Sequence, residues 1–206
     1  MGFAMKGSAF YLFIAICLGV QASLAQDQKE EQEGNLGAFT DSRDGKTYKT
    51  VKIGNQIWMA ENLNYDVGSG SYCYDNDLAN CSKNGRLYTL EAARKAVPRG
   101  WHLPSKNEFD QLLSYLGGSG NPAYQKLIEG GSSQFNVLFG GSFHKDHGNF
   151  ASLGSHASFW SSSGNSFIGD FFTGEANNLS VNRFTREARI YGSLRTYAFS
   201  IRYLKD

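Results

Sequence analysis

No charge of either sign prevails in this sequence: 20 Lys and Arg stand against 19 Asp and Glu. A chain so close to neutrality lacks the cation excess that draws proteins onto phosphate backbones, so nucleic acid is excluded as a default partner. Long hydrophobic runs are scarce too. The most apolar stretch, Ala9 to Val20, is too short to cross a bilayer comfortably. Cysteine and proline number three each. The prolines, Pro98, Pro104 and Pro122, all fall at expected helix boundaries. No internal repeat is present.

What is there begins with an export signature. Lys6 is the only charge in residues 1–25, the apolar run follows it, and Ser23-Leu24-Ala25 offers the small residues a signal peptidase needs. A retained anchor would need a longer run. A lipoprotein would need a small residue before its cysteine, and Ile16 precedes Cys17. The expected protein is therefore secreted or at the cell surface, with no transmembrane segment in the mature chain. Cleavage after Ala25 removes one lysine and no acid, leaving 19 charges of each sign. Residues 26–40, acidic through Glu30, Glu31 and Glu33, read as a linker, and residues 41–206 as one domain. With Cys17 lost, Cys73 and Cys81 remain as a pair, and an exported chain favours a disulfide between them. Zinc is disfavoured because no histidine lies near them.

The domain opens with a hairpin. Thr47 to Ile53 alternates in the manner of a strand, Gly54-Asn55 supplies a turn, and Gln56 to Ala60 returns. Leu90, Ala93, Ala96 and Val97 lie at the spacing of a short amphipathic helix. The strongest local signal is Pro104-Ser105 followed by Glu108, a capping box before Phe109, Leu112, Leu113 and Leu116. Trp101 and Leu103, just outside it, require a core. Another helix is expected with Asn121 as cap and Pro122 at its first position. Beyond Gly131 the pattern turns to strands and glycine turns: Phe135–Phe139, Ser158–Ser163, Phe171-Phe172, Leu179–Phe184, Ala188–Tyr191, and a long closing strand from Tyr197 to Leu204. The closing strand should pair with the N-terminal hairpin. Hairpin, two to three short helices, then a glycine-rich antiparallel sheet is an α+β order.

Few motifs carry chemistry. Asp75 and Asp77 sit at alternating positions, which suits calcium, but Ala79 stands where the next oxygen ligand belongs. Asx residues also form turns by bonding their own backbone, and that reading is preferred. His144, His147 and His156 could hold a metal, but no helical or strand spacing aligns them, so a solvated loop is expected. Gly164-Asn165-Ser166-Phe167-Ile168 lacks the second glycine of a nucleophile elbow.

Several blocks together carry a resemblance. Asp44 to Tyr48, Ile53 to Asn64, Gly85 to Thr89, Gly100 to Ser105, Phe159 to Ser162 and Phe199 to Arg202 follow one another in the order found in the Fibrobacter succinogenes major paralogous domain (FISUMP), which residues 41–206 therefore resemble. The family consists of exported bacterial proteins without an established activity. Its Leu-Pro-Ser-Glu helix and Trp-Ser-Ser strand are similar to those of C-type-lectin-like folds, including the formylglycine-generating branch, which implies that fold here. That branch uses cysteines in the C-terminal part of the fold, and none follows Cys81, so its activity does not carry over. Calcium-dependent lectins chelate sugar through acid–amide pairs and a Trp-Asn-Asp block; this chain has Trp160-Ser161-Ser162, and its one acid–amide candidate is Glu175 with Asn177-Asn178. The expectation is a noncatalytic binding or adhesion module for polysaccharide, without cofactor or metal and with calcium only as an alternative. Asn165, Asp170, Glu175, Asn177, Asn178 and Arg183, placed on turns, are the candidate ligand-binding residues. Other expectations are a polysaccharide hydrolase using an acid pair, or a surface protein recognising other proteins.

Overall fold

The computed structural model describes residues 35–164 and 174–206. Residues 1–25, Asn165, Asp170 and the Phe171-Phe172 candidate strand lie outside them. The chain divides after Leu36, and its second unit runs from Gly37 to Asp206.

The chain enters at β1 (Leu36–Thr40), within the stretch expected to be linker, and turns into β2 (Thr47–Ile53) and β3 (Gln56–Met59). Gly54 begins the intervening turn at φ +60°, the left-handed geometry that a two-residue hairpin connection requires. The register runs from Thr50 opposite Met59 to Ile53 opposite Gln56. Then come β4 (Ser71–Tyr72), a 3-10 turn (Tyr74–Asn76), α1 (Leu78–Asn84), β5 (Leu87–Thr89), α2 (Leu90–Lys95) and β6 (Trp101–His102). The two longest helices after these are α3 (Lys106–Tyr115) and α4 (Asn121–Leu127). The remainder is β7 (Ser142–His144), β8 (Asn149–Ala151), β9 (His156–Gly164), β10 (Glu175–Asn182), β11 (Glu187–Leu194), β12 (Tyr197–Phe199) and β13 (Leu204–Lys205). The described residues therefore form an α+β unit with four α-helices and three sheets, ordered β1-β2-β3-β13-β6, β4-β5-β12-β7-β8 and β11-β10-β9.

Both halves of the capping box form. The Ser105 hydroxyl accepts from the Glu108 N–H at 3.3 Å, and the Glu108 carboxylate accepts from the Ser105 N–H at 2.7 Å. Behind it Phe109, Leu112 and Leu113 are buried, with Phe109 stacked on Trp58 at 5.3 Å between ring centroids. Trp58, Trp101 and Trp160 are all core residues. Cys73 and Cys81 are joined as a disulfide. It ties α1 to the preceding loop.

Several further elements differ from expectation. Asp77 is a helix cap rather than a turn residue: its carboxylate accepts from the Ala79 N–H at 2.9 Å and starts α1. Gly120, not Asn121, caps α4, which moves Pro122 one place inward. Phe135 to Phe139 forms no strand beyond a single bridge from Val137 to Ile128, because Gln134 and Asn136 adopt left-handed φ of +53° and +50°. These values break the extended run while Phe135, Val137 and Phe139 stay buried. The closing strand is split into β12 and β13, and Ala198 to Leu204 is buried on both faces. Its linking segment bonds different partners in turn. Trp160 N donates to the Ser200 carbonyl, Leu63 N to that of Ile201 and Met59 N to that of Tyr203. The expected pairing with the hairpin is present, with Leu204 opposite Trp58.

Candidate functional site

The three-stranded sheet β11-β10-β9 has one face in the core and one face open. Ala157 and Phe159 on β9, Leu179 and Val181 on β10, and Ala188 on β11 belong to the hydrophobic core. The period-two alternation of a strand then sends their neighbours to the opposite face. His156 and Ser158 on β9, Asn178, Ser180 and Asn182 on β10, and Tyr191 and Ser193 on β11 line a groove there. Its facing wall is Gly141 and Ser142 at β7, Ala151 and Ser152 at β8, and Tyr197 and Phe199 on β12. The cavity volume is about 730 Å³, within the range of small-ligand sites. Its floor follows β10, whose eight residues extend about 25 Å.

The floor groups are tied to one another. The Asn178 amide donates to the Tyr191 carbonyl at 3.1 Å and to the Ser193 hydroxyl at 2.9 Å. His156 Nε2 and the Ser180 hydroxyl lie 2.6 Å apart. Burial pushes the His156 pKa down, so its imidazole is neutral at pH 7. Ser158 and Ser180 are buried, while Tyr191 is 51% exposed and offers a ring at the rim. Glu175 and Glu187 also line the groove, at opposite ends: Glu175 begins β10, and Glu187 pairs with Asn182 at its far end. Along the strand that separation is about 23 Å. Glu187 is held by Arg189 at 2.9 Å. At one end, beside Asn182, the exposed Phe184 turns out of the β10–β11 connection.

The residues singled out from sequence fare unequally. Glu175, Asn177 and Asn178 are on a strand, not a turn. Asn178 is on the groove floor, and Glu175 lines one end. Asn177 faces the other way, is buried, and its amide donates to the Gly164 carbonyl at 2.7 Å, across the register shift between β10 and β9. It holds the shift in place and does not reach the groove. Arg183 lies on the β10–β11 turn, its guanidinium over the Phe139 ring at 4.5 Å. Asn165 and Asp170 lie outside the described residues. Of the histidines, His156 is not in a loop but begins β9, and His144 closes β7 with its ring stacked on His147. Among the described residues no three His, Cys, Asp or Glu side chains gather as a metal site. Sequence reading missed Ser158, Ser180, Tyr191 and Tyr197. Their signal was the alternation with Ala157, Phe159, Leu179, Val181 and Ala188, which marks one polar and one apolar face.

A second cluster lies at the centre of the fold. Arg202 is 1% exposed, and among the described residues no carboxylate accepts from it. Its guanidinium donates to Asn62 Oδ1 at 2.9 Å, to the Asn136 carbonyl at 2.8 Å and to the Phe135 carbonyl. It lies over the Phe135 ring at 4.5 Å. Burial pushes its pKa down to about 9, which leaves it cationic at pH 7. Asn62 in turn donates to the Ser200 hydroxyl at 3.2 Å and the Asn84 carbonyl at 2.8 Å. Trp160 Nε1 donates to the Tyr88 carbonyl at 2.8 Å, and Ser162 N to that of Pro104 at 2.8 Å. The blocks around Asn62, Tyr88, Pro104, Trp160 and Arg202, distant in sequence, are thus bonded to one another.

No curated protein and no solved structure matches this chain. One family model does, over residues 51–205, and it spans every one of those mutually bonded blocks together with the groove. The chain belongs to the Fibrobacter succinogenes major domain family.

Proposed function

We propose that this protein is a secreted or surface-exposed, noncatalytic module that binds polysaccharide through the β11-β10-β9 groove. The observation that carries the reading is the floor: Ser158, Ser180 and Ser193 line it with hydroxyls, which can both donate and accept as sugar hydroxyls do, beside the amides of Asn178 and Asn182. Tyr191 and Tyr197 add ring faces beside them. The length of the floor suits an extended chain. Residues 1–25 carry the export signal on which the secreted placement rests. A C-type-lectin-like fold is part of the same proposal. It draws support from the bond between the Ser162 N–H and the Pro104 carbonyl, which joins the two motifs behind that likeness.

The hydrolase reading has less support. Glu175 and Glu187 are separated by about 23 Å of strand, whereas paired glycosidase carboxylates stand about 5–10 Å apart. The His156–Ser180 pair could suggest a nucleophile and base. Ser180, however, sits mid-strand between two ladders, where backbone N–H groups serve the sheet and are not aimed at an oxyanion.

A glycan array of the purified protein, with and without calcium, tests the proposal. Binding of at least one polysaccharide is expected, with Tyr191→Ala weakening it about tenfold at an unchanged melting temperature. Cleavage of a bound glycan would transfer the case to the hydrolase. Binding of none would leave a surface protein that recognises other proteins.

A further inference from the structure

The lining of the groove also bears on which polysaccharides it takes. Among the described residues, no Lys or Arg lines it. The floor consists of neutral groups: His156, Ser158, Ser180, Asn178, Asn182 and Ser193. The lining carboxylates, Glu175 and Glu187, stand at the two ends. Arg189 is engaged by Glu187, and Arg183 by the Phe139 ring. A chain of uronate or sulfate sugars laid along β10 would place its anions against hydroxyls and amides, with no Lys or Arg among the described lining residues to face them. Desolvating an anion without a paired cation is costly, while a hydroxyl finds both donors and acceptors on this floor. Resting on the polysaccharide reading above, we infer that the groove selects uncharged glycan chains and excludes polyanionic ones.

Matched polymers isolate charge from backbone: hydroxyethyl cellulose against carboxymethyl cellulose, dextran against dextran sulfate, and fully methyl-esterified against de-esterified pectin. Titration calorimetry with the full chain at low ionic strength, where charge effects are largest, should find at least one neutral member that binds. Its charged counterpart should bind at least tenfold more weakly. Thr185→Lys, which adds a cation to the lining, should narrow that gap by strengthening the charged member. Equal or tighter binding of the charged member by the unmodified protein overturns the selectivity while leaving the polysaccharide reading intact. If no member of any pair binds, the polysaccharide reading falls and this inference falls with it.

Discussion

Replacing Arg202 gives the sharpest test of how this fold is held. Its guanidinium satisfies three acceptors, and two of them are main-chain carbonyls, of Phe135 and Asn136, that no substitution can remove. In Arg202→Met the stem can still pack against Phe135 and Phe159, but those carbonyls and Asn62 Oδ1 lose their donor. An unsatisfied buried acceptor costs about 1–3 kcal/mol, and removing one side of a buried charged network costs about 3–5 kcal/mol in total. For a unit of this size that lowers the melting temperature by roughly 10 °C. Urea melts of Arg202→Met, Asn62→Ala and the double variant should show strong coupling, with the double costing well under the sum of the singles. The usual finding, that swapping a buried ion pair for apolar residues is nearly neutral, should not hold here, because the acceptors remain. A loss below about 1 kcal/mol for Arg202→Met would refute the reasoning and mean that water or relaxation satisfies those carbonyls.

Two further predictions concern α3. His102 Nδ1 lies 2.7 Å from Asp206 Oδ1 and its Nε2 lies 2.9 Å from Glu108 Oε1. Burial lowers the His102 pKa, but the hydrogen bonds to Asp206 and Glu108 outweigh it, and the net shift is upward. Burial raises the Glu108 pKa, but the Ser105 N–H and His102 outweigh it, and the net shift is downward. The His102 contribution is therefore fully present below about pH 6.5 and fades as pH rises through its folded value, while that of Glu108 is present above about pH 4.5 and fades on acidification. Thermal melts should peak between those limits, and His102→Gln should flatten the decline on the alkaline side; an unchanged profile would refute the clamp. Ser105→Ala should cost about 1 kcal/mol in a denaturant melt and Trp101→Ala about 3–5 kcal/mol, and the reverse order would contradict the burial of Trp101.

Legibility in the sequence followed how local the cause was. The capping box at Ser105–Glu108 and the Gly54-Asn55 hairpin are written within a few neighbouring residues, and both form. Helix α1 was not legible because it has almost no apolar face: Cys81 is its only buried residue and Leu78 is 70% exposed. It owes its place to the Asp77 cap and the disulfide. The groove was obscured for another reason. Asn177 and Asn178 are turn-forming residue types, yet neighbours on both sides pull them into a central strand where their amides bond Gly164, Tyr191 and Ser193. The blocks that gave the family away, around Asn62, Tyr88, Pro104, Trp160 and Arg202, bond one another at the core and, apart from Phe199, leave the groove to residues between them. Family membership thus speaks to architecture here.

The doubly buried run from Ala198 to Leu204 also governs the timing of folding. Its partners, Trp58 and Met59 on the hairpin and Trp101 on β6, are synthesised early, but the sheet they form has a gap until Leu204 and Lys205 arrive between them. Closing contacts so remote in sequence favours slow, late consolidation. Until this run is seated, the domain exposes the two sides that it will cover. A domain that locks only when β12 and β13 are seated should leave no partially stable remnant once those residues are removed.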